Sequence, residues 1–156
     1  MAQVLLEACR GVIYPNKPVR RKGRAVMRVL LREEIEQDKL PGRIIQRAVG
    51  KNSSSDSKKM TVSFAHYSAE SGPMEPHQHA EETVYIIEAK DSWVRKGPSK
   101  DCLSEKVMLR KDAVLHFDEL EWHVFEYGSG GFVDALCIYG QVDNIRPEEI
   151  LNAPKN

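Results

Sequence analysis

An excess of charge of either sign is missing from this sequence, in which 23 Lys and Arg residues balance 23 Asp and Glu residues. A chain without a net basic field lacks the long-range attraction that draws proteins to phosphate backbones or anionic lipid. We interpret the one basic run, at residues 20–24, as a solvated turn because it lies close to Pro15 and Pro18. Nucleic acid is therefore not an expected partner.

Long apolar runs are missing as well. No stretch reaches the roughly 20 apolar residues that a membrane-spanning helix needs. Residues 2–8 are too few, and carry a charge, so they do not resemble the apolar core of a signal peptide. These absences predict a cytoplasmic protein with no membrane partner.

Cysteine is scarce, and its three occurrences are Cys9, Cys102 and Cys137. An odd number of widely spaced cysteines without a Cys-x-x-Cys pair indicates neither a disulfide framework nor a thiolate zinc site. A reducing compartment fits this pattern. We interpret Cys137 as a small buried apolar residue rather than as a nucleophile.

Helical periodicity is nearly missing too, and most segments between Pro and Gly breakers are rich in Val, Ile, Tyr or Phe. A polar loop at residues 51–58 precedes seven predicted strands. These strands span residues 60–67, 83–89, 92–95, 106–109, 113–117, 123–127 and 132–139. Such a series predicts an all-β sandwich or barrel, and 156 residues fit one domain.

Both ends of the chain add smaller elements to this prediction. Before the polar loop, residues 25–31 and 43–49 are predicted to be extra strands on the same sheets, whereas residues 32–39 favour one or two helical turns. Pro147 is followed by two acidic residues, a pattern typical of the start of a helix. We therefore expect a short C-terminal helix.

The sharpest chemical signal is the pair His77 and His79. Two residues apart on an extended segment, both imidazoles point to one face. Neutral imidazoles combined with a carboxylate suit zinc, iron, nickel, copper or manganese, and an incomplete protein shell leaves positions for water or substrate. The alternative is that both histidines are exposed polar residues in a turn flanked by prolines.

Gly72, His77, His79 and Glu82 stand in this order ahead of a predicted strand. In this order the sequence resembles the first motif of the cupin family, although the intervals from Gly72 to His77 and from His79 to Glu82 are shorter than in that motif. His123 begins the predicted strand at residues 123–127 and matches the ligand histidine of the second cupin motif. The resemblance therefore implies a metal site formed by His77, His79, Glu82 and His123.

The resemblance also implies a fold and an assembly. The fold is an all-β double-stranded β-helix, or jelly-roll barrel, that forms a single domain over residues 1–156. Its motif core spans residues 72–127, and residues 1–59 form an N-terminal extension. The cupin family further implies a homodimer and one divalent transition-metal ion, which could be zinc, iron, nickel, manganese or copper.

Two ligand assignments stay open at this point. Counting back along the following strand places Glu82 on one face with Val84 and Ile86, which favours Glu82 as the ligand. Alternation from His79 favours Glu81 instead. For His123, the alternative is a core histidine whose polar atoms are hydrogen-bonded.

The resemblance covers about a third of the chain and indicates the fold more specifically than the reaction, because fold does not determine function. The leading hypothesis is a metal-dependent enzyme of dioxygenase, isomerase, lyase or decarboxylase type that acts on a small polar molecule. Three further residues are candidates for substrate binding: His66, Arg47 and His116. The alternative functions are a non-catalytic module that binds or senses a small molecule, and a structural cupin without metal.

Overall fold

A computed structural model describes residues 27–152. Cys9 and the basic run at residues 20–24 lie outside these residues. The described strands are β1 Asp38–Leu40, β2 Arg43–Val49, β3 Thr61–Ser68, β4 Glu82–Gly97, β5 Val107–Met108, β6 Val114–Phe117 and β7 Trp122–Tyr139. Short 3₁₀ turns at Arg32–Glu34 and Ala69–Ser71 and one helix, α1 at Pro147–Leu151, complete the elements.

All strands pair antiparallel in one curled sheet of order β1-β2-β3-β7-β4-β5, with β6 also paired to β4. The two longest strands, β4 and β7, pair along their whole length, from Glu82 opposite Tyr139 to Gly97 opposite Trp122. Sheets twist, and bulges bend them further, so strands of this length fold over themselves to enclose a core. The all-β prediction with a short C-terminal helix is confirmed.

Polar residues inside β4 and glycines inside β7 bend these strands without ending them. Residues 83–89 and 92–95 were predicted as separate strands but belong to β4, whose pairing with β7 shifts between Lys90 and Ser92. Residues 123–127 and 132–139 are likewise both part of β7. A Cβ on Gly131 would lie 2.5 Å from the carbonyl oxygen of Asp91. Only glycine therefore allows the two bent strands to approach so closely.

The barrel core follows the period-two alternation of these strands. Val84 and Ile86 of β4, and Val133 and Ala135 of β7, are all completely buried. The ring of Phe125, also in β7, stacks on Tyr67 of β3 with centroids 4.8 Å apart, so this buried surface continues across the barrel. One continuous core results.

The N-terminal part of the described chain differs from the prediction. Residues 27–31 belong to no strand, and residues 25 and 26 lie outside the description. Residues 32–39 were predicted to form helical turns, but only Arg32–Glu34 does so before β1 begins at Asp38. Between residues 27 and 152, no helix is long and apolar enough to cross a membrane.

A polar contact anchors this N-terminal segment on the outer face of the sheet. Two guanidinium nitrogens of Arg32 donate to the two carboxylate oxygens of Asp134, at 2.5 and 2.6 Å. The side-chain amide of Gln46 donates to the carbonyl oxygens of Arg32 and Ile35, at 2.7 and 2.9 Å. Bidentate, charge-assisted pairs of this kind hold geometry firmly.

Replacing Asp134 with alanine should lower the free energy of unfolding by about 1 to 2 kcal/mol, because the partly buried Arg32 loses both of its charge-assisted bonds. Urea unfolding measures the change. Asp143→Ala is the matched control, since it removes an exposed ion pair with Lys51 and should change stability little. Equal losses in the two variants would contradict an anchoring role for Asp134.

Candidate metal centre

Two strand-like segments that are far apart in sequence meet at the site. His77 and His123 exchange two backbone hydrogen bonds, with N–H to O distances of 3.0 and 2.9 Å. The His-x-His segment thereby extends the sheet beside the start of β7. It is also held by the N–H of Leu120, which donates to the carbonyl oxygen of His79 at 2.8 Å. Backbone pairing, rather than side-chain packing alone, determines where the two histidines lie.

This pairing gathers the imidazoles of His77, His79 and His123, which we call the three-histidine cluster. Each offers one ring nitrogen, and these nitrogens all lie within 4.8 Å of one another. The ring centroids are 4.4 Å apart for His77 and His123, 4.6 Å for His79 and His123, and 5.3 Å for His77 and His79. Three nitrogen donors therefore converge on one small volume.

Hydrogen bonds to backbone carbonyl oxygens orient two of these rings. The Nδ1 atom of His79 lies 2.8 Å from the carbonyl oxygen of Ala80, and Nδ1 of His123 lies 2.9 Å from that of Glu121. Because a carbonyl oxygen only accepts, each Nδ1 carries the proton and each Nε2 keeps its lone pair. Metal-binding histidines are commonly held by contacts of this type.

Two nitrogens of the cluster have no partner among residues 27–152. They are Nδ1 of His77 and Nε2 of His123, and both are buried. A buried polar atom without a hydrogen bond is costly and uncommon in folded proteins. An ion bound in the cluster would satisfy such atoms, so the donor set fits a metal.

The electrostatics of the cluster favour neutral imidazoles. Burial, reinforced by the neighbouring His123 and His79, lowers the pKa of His77 to about 2. Burial and the nearby His79 lower the pKa of His123 to about 4. Both rings are therefore neutral at physiological pH, the form in which imidazole binds metal ions.

Glu82 opens β4 beside the cluster and is 3% exposed. Its Oε2 atom lies 3.2 Å from Nε2 of His79. Burial opposes its ionisation, but the neighbouring His79 and Tyr139 outweigh burial and hold the pKa of Glu82 below the ordinary value. Glu82 is thus a buried carboxylate at the edge of the cluster. Glu81 points to the surface, where its carboxylate lies 3.4 Å from His116.

Apolar and weakly polar side chains close the site on its inner side. The ring of Phe117 stacks on His123, with centroids 4.1 Å apart and an interplanar angle of 17°. Burial raises the pKa of Tyr67, Cys137 and Tyr139 well above their ordinary values, so all three stay protonated. Sequence reasoning missed Tyr67 and Tyr139, although alternation from the core residues of β3 and β7 is a signal that could have found them.

Comparison with solved structures relates the fold of this chain to known proteins. No family model and no curated protein matches the chain. A protein from Planctomyces limnophilus aligns over 80% of this chain and 96% of its own, with 16% identity and a TM-score of 0.60. The polyketide cyclase RemF from Streptomyces resistomycificus aligns over 72% of this chain and 78% of its own, with 18% identity and a TM-score of 0.56.

A third similar structure is the oxalate decarboxylase of Bacillus subtilis, a protein with Mn(II) centres. It aligns over 71% of this chain but only 29% of its own, with 18% identity and a TM-score of 0.56. RemF and the decarboxylase are cupin-fold proteins. The chain has the cupin fold. At these identities the likeness shows the fold and leaves the reaction open.

None of the three substrate-binding candidates belongs to the three-histidine cluster. His66 is on the outer face of β3, where Nδ1 lies 3.4 Å from Asp134, because Ala65 and Tyr67 on either side of it face the core. The guanidinium of Arg47 forms an ion pair with Asp38. His116 is exposed on β6 and hydrogen-bonds with Thr83 at 3.1 Å. Residue type alone did not indicate which face each side chain occupies.

The metal-free protein should lose stability as the pH falls below about 6.5, the ordinary pKa of an unfolded-state histidine. The folded protein keeps His123 neutral down to about pH 4, so the unfolded chain binds more protons between these values. The free energy of unfolding therefore decreases with acidification in this window. Urea unfolding at several pH values tests this, and His123→Gln should reduce the slope. A stability that rises on acidification would contradict the expectation.

Proposed function

We propose that this cupin is a metal-dependent enzyme that holds one divalent transition-metal ion with His77, His79, Glu82 and His123 and acts on a small polar molecule. The observation that carries the proposal is the convergence of three imidazoles, whose buried nitrogens include two that have no partner among residues 27–152. A binding site for an ion explains why such atoms are buried together.

Glu82 is the fourth ligand in this proposal because of its position and charge. Its Oε2 atom lies 3.2 Å from Nε2 of His79. Two ligand atoms at about 2.1 Å from one ion and at right angles lie about 3 Å apart, so this spacing suits neighbouring ligands. The neighbouring His79 and Tyr139, which keep the pKa of Glu82 low, also keep this carboxylate ionised at neutral pH.

The donor set favours some metals over others. Imidazole nitrogens suit zinc, iron, nickel or copper, and a carboxylate extends the range to manganese, whereas calcium and magnesium prefer shells made of oxygen. The thiol of Cys137 does not compete as a thiolate, because burial and the nearby Glu82 raise its pKa well above the ordinary value. One ion of the first-row transition series is therefore the proposed cofactor.

A bound ion would supply Lewis acidity that polarises an oxygen atom of the substrate. The chain itself orients the donors through the carbonyl oxygens of Ala80 and Glu121. Phe117 and Phe125 exclude water on the inner side of the site and lower the local dielectric constant, which strengthens electrostatic contacts there. The hydroxyl of Tyr139 keeps its proton, and its position beside Glu82 favours the ionised form of that carboxylate.

Two measurements test the proposal. Elemental analysis of the purified protein should find about one transition-metal ion per chain. Metal-loaded protein should then convert a member of a panel of sugars, keto acids, amino acids or diketones, assayed with and without oxygen, and chelation should stop turnover. A ligand that stabilises the fold, yields no product and still binds after chelation would favour the non-catalytic binding module instead.

A further inference from the structure

Arg43 begins β2 on the inner face of the sheet. Ile45 lies opposite Ala65 in the pairing of β2 with β3, so Arg43, two residues earlier, shares the face of Ala65 and Tyr67. Those two core residues are 1% and 4% exposed. Arg43 itself is half-buried. A long cationic side chain therefore borders the interior of the barrel rather than its outer surface.

The turn before β2 brings Arg43 close to the segment that leads into the three-histidine cluster. The N–H of Gly42 donates to the carbonyl oxygen of Ser71 at 2.9 Å. A Cβ on Gly42 would lie 2.8 Å from Cα of Met74, and the residue has a φ of +79°. Only glycine fits this contact. The backbone at Arg43 therefore lies next to the segment that runs from Ser71 to His77.

The charge of Arg43 is not neutralised within residues 27–152, where it has no ion pair and no side-chain hydrogen bond. Arg47, on the same face of β2, differs in this respect, because Asp38 neutralises it. Burial raises the pKa of Tyr67 and of Cys137, and the positive charge of Arg43 opposes both shifts. The guanidinium is therefore within electrostatic reach of the interior.

We propose that Arg43 binds the carboxylate of the small molecule whose reacting end lies at the three-histidine cluster. The inference rests on the proposed function, because it places the substrate at that cluster, and it narrows the substrate class to small carboxylic acids. A guanidinium presents two parallel N–H donors that match the two oxygens of a carboxylate. This pairing supplies the counter-charge that Arg43 lacks among the described residues. Arg43 replaces Arg47 as the anion-binding residue of this strand.

Calorimetric titration of the metal-loaded protein tests the assignment. The probes are lactate and malonate, with lactamide and malonamide as neutral matches. In Arg43→Gln the Kd for the carboxylates should rise about tenfold to a hundredfold, the loss expected for hydrogen bonds to a charged group. Arg43→Lys should fall between Arg43→Gln and the unchanged protein, because it keeps the charge without the paired donors. Arg47→Gln is the matched control and should bind as the unchanged protein does.

Other outcomes distinguish a failure of the role of Arg43 from a failure of the proposed metal site. Equal Kd values for Arg43→Gln and the unchanged protein, or no carboxylate binding at millimolar concentration, overturn the role of Arg43 and leave the metal site standing. A purified protein without metal contradicts the proposed function instead. In that case the same titrations on the metal-free chain still decide whether Arg43 binds carboxylates. Metal content measured in all four proteins separates these results.

Discussion

Protein in which His77 and His79 are both replaced by alanine should contain almost no transition metal, whereas the unchanged protein should contain about one ion per chain. The two residues supply two of the three imidazoles in the cluster, and their ring nitrogens lie within 4.8 Å of the third. One histidine and one carboxylate leave too few donors for a stable site, since structural and catalytic sites use three or four protein ligands. Elemental analysis after dialysis measures the loss.

The matched control removes the same number of histidines elsewhere. His66 and His116 lie on the outer face of β3 and on exposed β6, so a double change of these two to alanine should leave the metal content unchanged. Circular dichroism establishes that both proteins are folded. An undiminished metal content in the His77 and His79 variant would contradict the assignment and show that the ion binds elsewhere.

Replacing Glu82 with glutamine should weaken metal binding by more than about a hundredfold. Loss of a group that hydrogen-bonds to a metal ligand commonly lowers the affinity for the metal by about 10- to 100-fold. A carboxylate that binds the ion directly contributes more than that. The amide keeps the shape of the side chain but removes the negative charge, so the change isolates the electrostatic contribution. Competition with a chelator of known affinity gives the Kd.

Glu81→Gln is the control for this change. Glu81 is one residue away, exposed, and 3.4 Å from His116 rather than beside the cluster. Its loss should change the metal Kd little. A larger loss in the Glu81 variant would show that local alternation from His79, and not the register of β4, determines which acid binds the ion.

Local patterns were enough to predict several parts of the molecule. The β-rich segments after residue 59, the strand Arg43–Val49 and the helix that begins at Pro147 all lie where Val, Ile, aromatic and Pro positions indicated them. These preferences act over a few residues, so they can be recognised without knowing which strands pair. Strand ends were less well predicted, because glycines and polar residues inside β4 and β7 form bulges and bends that a paired strand tolerates.

The face of the sheet that each side chain occupies depends on how all the strands pair. The register of β3 against β7 turns His66 outward to Asp134. Arg43 and Arg47 lie on the same face of β2, but Asp38 forms an ion pair with Arg47 and not with Arg43. A shift of one residue reverses the face of every side chain on a strand. Residue type therefore marked the histidines and arginines as candidates without separating inner from outer positions.

The donor chemistry of this protein can be inferred from residue types alone, because the His-x-His pair, a following acid and a later histidine are the residue types that bind a transition metal. The all-β architecture can be inferred in the same way, since alternation and breakers act locally. By contrast, the pairing of His123 with His77 through backbone hydrogen bonds, and the burial of Glu82 beside an exposed Glu81, depend on the folded barrel. Those outcomes depend on contacts between residues more than 30 positions apart, and the energy of such contacts arises only when the barrel closes around them.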